Sequence, residues 1–107
     1  MIDLDAIVSA YKRAKGIEKD FEAAEQLHVK KNTFSQCRSG KRRFSDLAIV
    51  EFAEAIGADA ADVMAAVNAA FHGTPEEERA LWQSRLERSP LVGRLSSTHA
   101  GLTSSKV

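Results

Sequence analysis

Hydrophobic positions recur along the chain at intervals of three and four, and a glycine or a capping residue stands wherever that rhythm stops. Leu4, Ile7, Val8 and Tyr11 fall on one face of a first helix, which Asp3 can cap and which runs to about Lys15 before Gly16 closes it in a left-handed turn. Phe21, Ala24 and Leu27 mark a short second helix, with Glu18, Glu22 and Glu25 pointing outward near its positive end. After His28-Val29-Lys30 a third helix covers about residues 31–39, carries the narrow apolar stripe of Phe34 and Cys37, and stops at Gly40. Ser45 caps a fourth helix with Leu47, Val50, Ala53 and Ile56 inward, ended by Gly57. Asp59 caps a fifth with Val63, Met64, Val67, Ala70 and Phe71 as its apolar set, closed by Gly73 in the manner of Gly16 and Gly57. In the sixth, Thr74 is the expected cap, Pro75 the first helical residue and Glu77 the partner that completes a capping box. Leu81, Trp82 and Leu86 are its apolar residues, and Ser89-Pro90 ends it.

This pattern predicts an all-α protein. No strand is expected, and no repeat of 20–50 residues suggests a solenoid. Frequent alanine and scarce aromatics agree with a helical chain, and 107 residues suffice for one small core. The expected organisation is a unit over residues 1–73, a C-terminal helix over 74–90 that serves packing or dimerisation, and a mostly disordered tail over 91–107, which is rich in Ser, Thr and Gly and lacks a period. Met64, Val67, Phe71, Leu81 and Trp82 offer more apolar surface than three short helices can cover, so they either complete the core or form a subunit contact.

Cys37 is the single cysteine, which rules out an internal disulfide and any multi-cysteine metal site. The acidic start Met1-Ile2-Asp3-Leu4-Asp5 lacks the order of a signal peptide, and no apolar run approaches membrane-spanning length. A cytoplasmic protein without a membrane partner is the expectation. His28, His72 and His99 fall in a turn, at a helix end and in the tail, apart from any cysteine or carboxylate cluster, so neither catalysis, nor a cofactor, nor a small-molecule substrate is indicated.

Formal net charge is zero, yet the charge is segregated. Residues 28–43 contain Lys30, Lys31, Arg38, Lys41, Arg42 and Arg43 and no Asp or Glu. If Phe34 and Cys37 point inward, the opposite face of the third helix is Asn32, Ser35, Gln36 and Ser39, polar and uncharged, with Lys31 and Arg38 flanking it. Hydrogen-bonding groups along the centre and cations at the margins suit a surface that reads base edges while holding phosphates. A solvated basic helix is the plainer reading of the charge alone.

The spacing Ala23-Ala24-x-x-Leu27-His28-Val29-Lys30-x-x-Thr33-Phe34-Ser35-x-x-x-x-Gly40-Lys41-Arg42 resembles, without a gap, the helix-turn-helix core of the Cro and λ-repressor-like (XRE-type) family, and with the flanking helices the resemblance covers about residues 4–70. It implies a λ-repressor-like five-helix bundle, to which the sixth helix and the tail are added. It also implies that Ala24 allows close helix crossing, that Leu27, Val29 and Phe34 lock it, and that His28 takes a positive φ where relatives have glycine. Lys31, Asn32 and Gln36 would then meet bases, while Lys30, Ser35, Arg38, Lys41, Arg42 and Arg43 would meet phosphates. The implied function is a sequence-specific transcriptional regulator, foremost a repressor that occludes a promoter. It would bind double-stranded DNA as a homodimer with recognition helices about 34 Å apart, in the manner of compact phage or prophage regulators.

The rival reading is a helix-turn-helix scaffold used to dock on another protein, for example a phage protein binding a host factor. Its acidic helices or tail would be the working surface, and the acid-free stretch over 28–43 would have no evident purpose. RNA fits less well, because a helix shaped for the B-form major groove does not enter the deep, narrow A-form groove.

Overall fold

Four positions take a left-handed backbone among the described residues, and they set the path of the chain: Gly16 (φ +68°), His28 (φ +60°), Gly40 (φ +86°) and Gly57 (φ +69°). The computed structural model describes residues 4–91 and residue 95. The described residues include the helices α1 (Leu4–Lys15), α2 (Asp20–Gln26), α3 (Lys31–Arg38), α4 (Asp46–Ile56), α5 (Ala60–Ala70) and α6 (Glu76–Glu87), and no strand. At the first three left-handed residues the next amide reaches back to a carbonyl of the preceding helix. Ile17 N donates to Lys12 O at 2.8 Å, Val29 N to Ala24 O at 3.0 Å and Lys41 N to Gln36 O at 2.9 Å, the closure that satisfies orphan carbonyls at a helix end. His28 thus does what the glycines do, as the turn requires.

A row of edge-to-face aromatic contacts runs through the core. Tyr11 of α1 meets Phe52 of α4 with centroids 5.1 Å apart, Phe52 meets Phe44 at 5.0 Å, and Phe44 meets Phe34 of α3 at 5.8 Å. All four rings are fully buried, and each such pair adds about 0.5–1.5 kcal/mol beyond the area it removes from water. Phe44 lies in the connection between α3 and α4, so the row fixes that connection as well as the helices.

The apolar face of α4 differs from the expected one. Ala48, Ile49, Phe52 and Ala53 are buried, whereas Leu47 and Val50 are 50% and 42% exposed and Ile56 is half-buried. Two stripes compete on this helix, and the one carrying Phe52 wins because a ring buries more area and joins the aromatic row. In α2 the buried residues are Ala23 and Ala24, followed by Leu27, and Phe21 is exposed with Lys19 Nζ 5.7 Å from its ring centre.

Ser45 and Asp59 cap α4 and α5 as expected, accepting from Ala48 N at 3.2 Å and Ala61 N at 2.8 Å. The end of α5 is different. Gly73 does not close it with a left-handed turn; Phe71 leaves in extended backbone, and Arg79 Nη2 donates to Phe71 O at 2.9 Å and His72 O at 3.3 Å. Gly73 is needed for space instead, since a Cβ there would lie 2.5 Å from the Phe71 ring. Nor does Thr74 cap α6: its buried hydroxyl donates to Asn68 O at 2.6 Å, and Pro75 precedes the helix without a side-chain cap.

On α6, Leu86 is buried and Trp82 half-buried, donating its indole N–H to Glu78 at 3.1 Å, while Leu81 is 71% exposed. The buried carboxylate of Asp62 on α5 forms an ion pair with Arg85 of α6, Nε to Oδ1 3.3 Å. Leu86 and Leu91 belong to the same hydrophobic cluster as α1–α5. Leu91 is therefore core and not tail, Leu95 packs against that core, and the rest of the expected tail over 91–107 lies outside the described residues. No helix among the described residues is long and apolar enough to cross a membrane.

Candidate nucleic-acid interface

The burial of α3 follows its helical wheel. Phe34 and Cys37 are buried, Thr33 and Arg38 at the borders are half-buried, and Lys31, Asn32, Ser35, Gln36 and Ser39 are exposed over an arc of about 140° at 100° per residue. That arc contains no carboxylate. The side chains of Asn32 and Gln36 make no hydrogen bond among the described residues, so their amide donors and acceptors face solvent unsatisfied by protein. Lys30 at the N-cap adds an exposed cation where the helix dipole is positive, and no acidic residue occupies the first turn.

The basic loop is folded against the other end of α3. Gln36 O accepts from Lys41 N at 2.9 Å, Arg42 N at 3.2 Å and Ser39 Oγ at 3.0 Å, so the loop turns back beside the exposed arc. Gly40 permits this for two reasons. Its backbone is left-handed, and a Cβ would lie 2.8 Å from Ala70 O and 3.0 Å from His72 Nε2, while its own carbonyl accepts from His72 N at 2.9 Å. Lys41 and Arg42 are exposed and, like Lys30 and Lys31, make no ion pair among the described residues.

Two of the expected phosphate-binding cations are engaged within the protein. Arg38 donates through Nε to Asp5 of α1 at 2.7 Å and through Nη1 to Asp20 of α2, and Asp20 in turn accepts from Lys12 at 2.8 Å. The Lys12 hydrogen bond, with the Arg38 and Lys12 charges, holds the Asp20 carboxyl below the usual carboxylate range. These four side chains are charge-neutral together and tie α3 to both earlier helices. Arg43 is half-buried and donates to Asn68 Oδ1 at 2.7 Å, Phe44 O at 3.2 Å and Asp46 at 3.2 Å. Ser35 is exposed, as a phosphate contact requires.

Sequence reasoning missed these holding groups. Asp5 and Arg38 are 33 residues apart and Arg43 and Asn68 are 25 apart, and no local periodicity encodes such pairs. An acid-free basic run facing a chain of balancing acidity was the available signal, and it does not say which cation finds which carboxylate. Cys37 donates its thiol to Arg43 O at 3.6 Å, and burial pushes that thiol up from its ordinary value, so it stays protonated behind the exposed face. No group of three or more His, Cys, Asp or Glu side chains suited to a metal occurs among the described residues. Comparison of the chain with protein-family models, with curated proteins and with solved structures gives no match in any of the three.

Proposed function

We infer that the chain is a sequence-specific double-stranded DNA-binding transcriptional regulator, with α2, the turn over 27–30 and α3 serving as a λ-repressor-like helix-turn-helix. The single observation that carries this reading is the exposed arc of α3, which bears amides and hydroxyls, lacks any carboxylate and has unpaired cations at both ends. Lys31, Asn32 and Gln36 are assigned to base edges, because a carboxamide matches adenine's adjacent donor and acceptor and an ammonium matches guanine's acceptors. Lys30, Ser35, Lys41 and Arg42 are assigned to phosphates. Arg38 and Arg43 hold α3 and the loop in place, since a phosphate would have to displace carboxylates already bonded to them. The protein acts as a twofold pair on adjacent major grooves and represses by occupying a promoter.

The test is a salt titration of binding to random-sequence duplex DNA. Log affinity is expected to fall linearly with log salt at about 0.9 per neutralised phosphate, or up to about 2.7 for Lys30, Lys41 and Arg42 of one copy. A flat dependence, or no binding at low salt, overturns the reading.

A further inference from the structure

Asp62 is 6% exposed, and its carboxylate accepts no hydrogen bond among the described residues; Arg85 Nε, at 3.3 Å, is its one ionic partner. A buried carboxylate has about four lone-pair sites to satisfy and is costly to leave so poorly bonded. Asp62 lines a cavity of about 250 Å³ between the start of α5 and the end of α6, together with Arg85, Arg88, Ser89 and Pro90. We propose that this cavity binds a small zwitterion, a free α-amino acid, whose ammonium group meets Asp62 and whose carboxylate meets Arg85 and Arg88. The proposal does not depend on the DNA-binding reading.

The remaining donors of the lining are uncommitted. Arg85 and Arg88, three residues apart, are neighbours along the last turn of α6. Arg85 spends Nε on Asp62 and Arg88 spends Nε on Ser84 O at 3.3 Å, and neither uses its Nη nitrogens in a bond among the described residues. Ser89 Oγ accepts from Leu91 N at 2.9 Å, which leaves its own proton to donate. Because Leu91 is buried in the core, the segment that carries Ser89 and Pro90 is anchored beside the two guanidinium groups.

This lining discriminates among small charged molecules. A simple carboxylate or a phosphate would engage the guanidinium groups, yet it would bring further negative charge towards Asp62. An amine would engage Asp62 and set its own charge against two arginines. A molecule with both groups answers both demands: an ammonium brings three donors and no acceptor, and a carboxylate brings acceptors alone. In an α-amino acid a single carbon joins them, so both contacts fit in one small cavity. At about 30 Å³ per water-sized atom the space holds about eight non-hydrogen atoms, enough for an amino-acid backbone and a short side chain.

The experiment melts the full chain in glycine, L-alanine, L-serine, L-threonine or L-valine at about 10 mM, with acetate, methylamine and inorganic phosphate as controls at matched ionic strength. At least one of the amino acids is expected to raise Tm by about 2 °C or more, and the three controls are not. Calorimetric titration with that amino acid should then show at least tenfold weaker binding to Asp62→Asn and to Arg88→Gln than to wild type. Arg88 is exposed, so its variant still reads the site if Asp62→Asn fails to fold. The proposal is overturned if none of the five amino acids binds the wild-type chain, if acetate or phosphate binds as tightly as the amino acid, or if Arg88→Gln binds it as tightly as wild type. None of these results bears on the salt titration with duplex DNA, so the two readings stand or fall separately.

Discussion

His28 occupies the left-handed turn between α2 and α3 at φ +60°, where a side chain costs about 1–2 kcal/mol and glycine costs instead about 0.5–1 kcal/mol of extra chain entropy. His28→Gly is therefore expected to stabilise the fold by about 0.5 kcal/mol, raising Tm by roughly 2–4 °C in a thermal melt. His28→Val, with a β-branched side chain, should lower it. On the exposed arc, Asn32→Ala or Gln36→Ala should remove about 1–3 kcal/mol of preference for a selected DNA site over random DNA and leave binding to random DNA nearly unchanged. Equal losses on both would show that the amides do not read bases. The outward amides of α3 were legible in the sequence from local spacing, two apolar residues three apart, whereas the positive φ of His28 was expected only from the resemblance to a family whose turn has glycine there.

The cations that the sequence groups together divide into two sets once the helices pack. Lys41 and Arg42 face solvent, so Arg42→Ala should reduce the salt slope of DNA binding by about one. Arg38→Ala should leave that slope unchanged and lower the melting temperature, because it cuts the ties of α3 to Asp5 of α1 and Asp20 of α2 and leaves Asp20 with Lys12 alone. The pH dependence follows from Asp20, whose folded-state value lies below the unfolded one. Its contribution is complete above the unfolded carboxylate value and disappears as pH falls through the depressed folded value. Asp20→Asn should thus destabilise by no more than about 1 kcal/mol at neutral pH, given its partial exposure, with the difference from wild type vanishing in the acid limb of a pH-dependent denaturation series. The position of each helix could be read from periodicity, with the caps Ser45 and Asp59 marking the starts of α4 and α5, whereas the expected Thr74 cap of α6 did not form. The rotation of α4 could not be read this way, because Leu47-Val50 and Ile49-Phe52 are both helical stripes, and only the rings of Tyr11 and Phe44 choose between them.

At the scale of the molecule, the aromatic row from Tyr11 to Phe34 couples the core to the exposed arc of α3. Phe44→Ala should cost about 3–5 kcal/mol in a denaturant titration, a large share of the roughly 5–15 kcal/mol that holds a domain together. The end of α5 supplies a second tie. Arg79 of α6 binds the carbonyls of Phe71 and His72, and the His72 amide binds Gly40 at the end of α3. A chain cut after residue 73 would keep every side chain assigned to DNA yet lose the clasp on α5's last turn. Its Gly40 carbonyl would then depend on a fraying neighbour. The last helix, remote from the groove in sequence, thereby acts as a brace for the grip, and trimming it should loosen the hand without removing a finger.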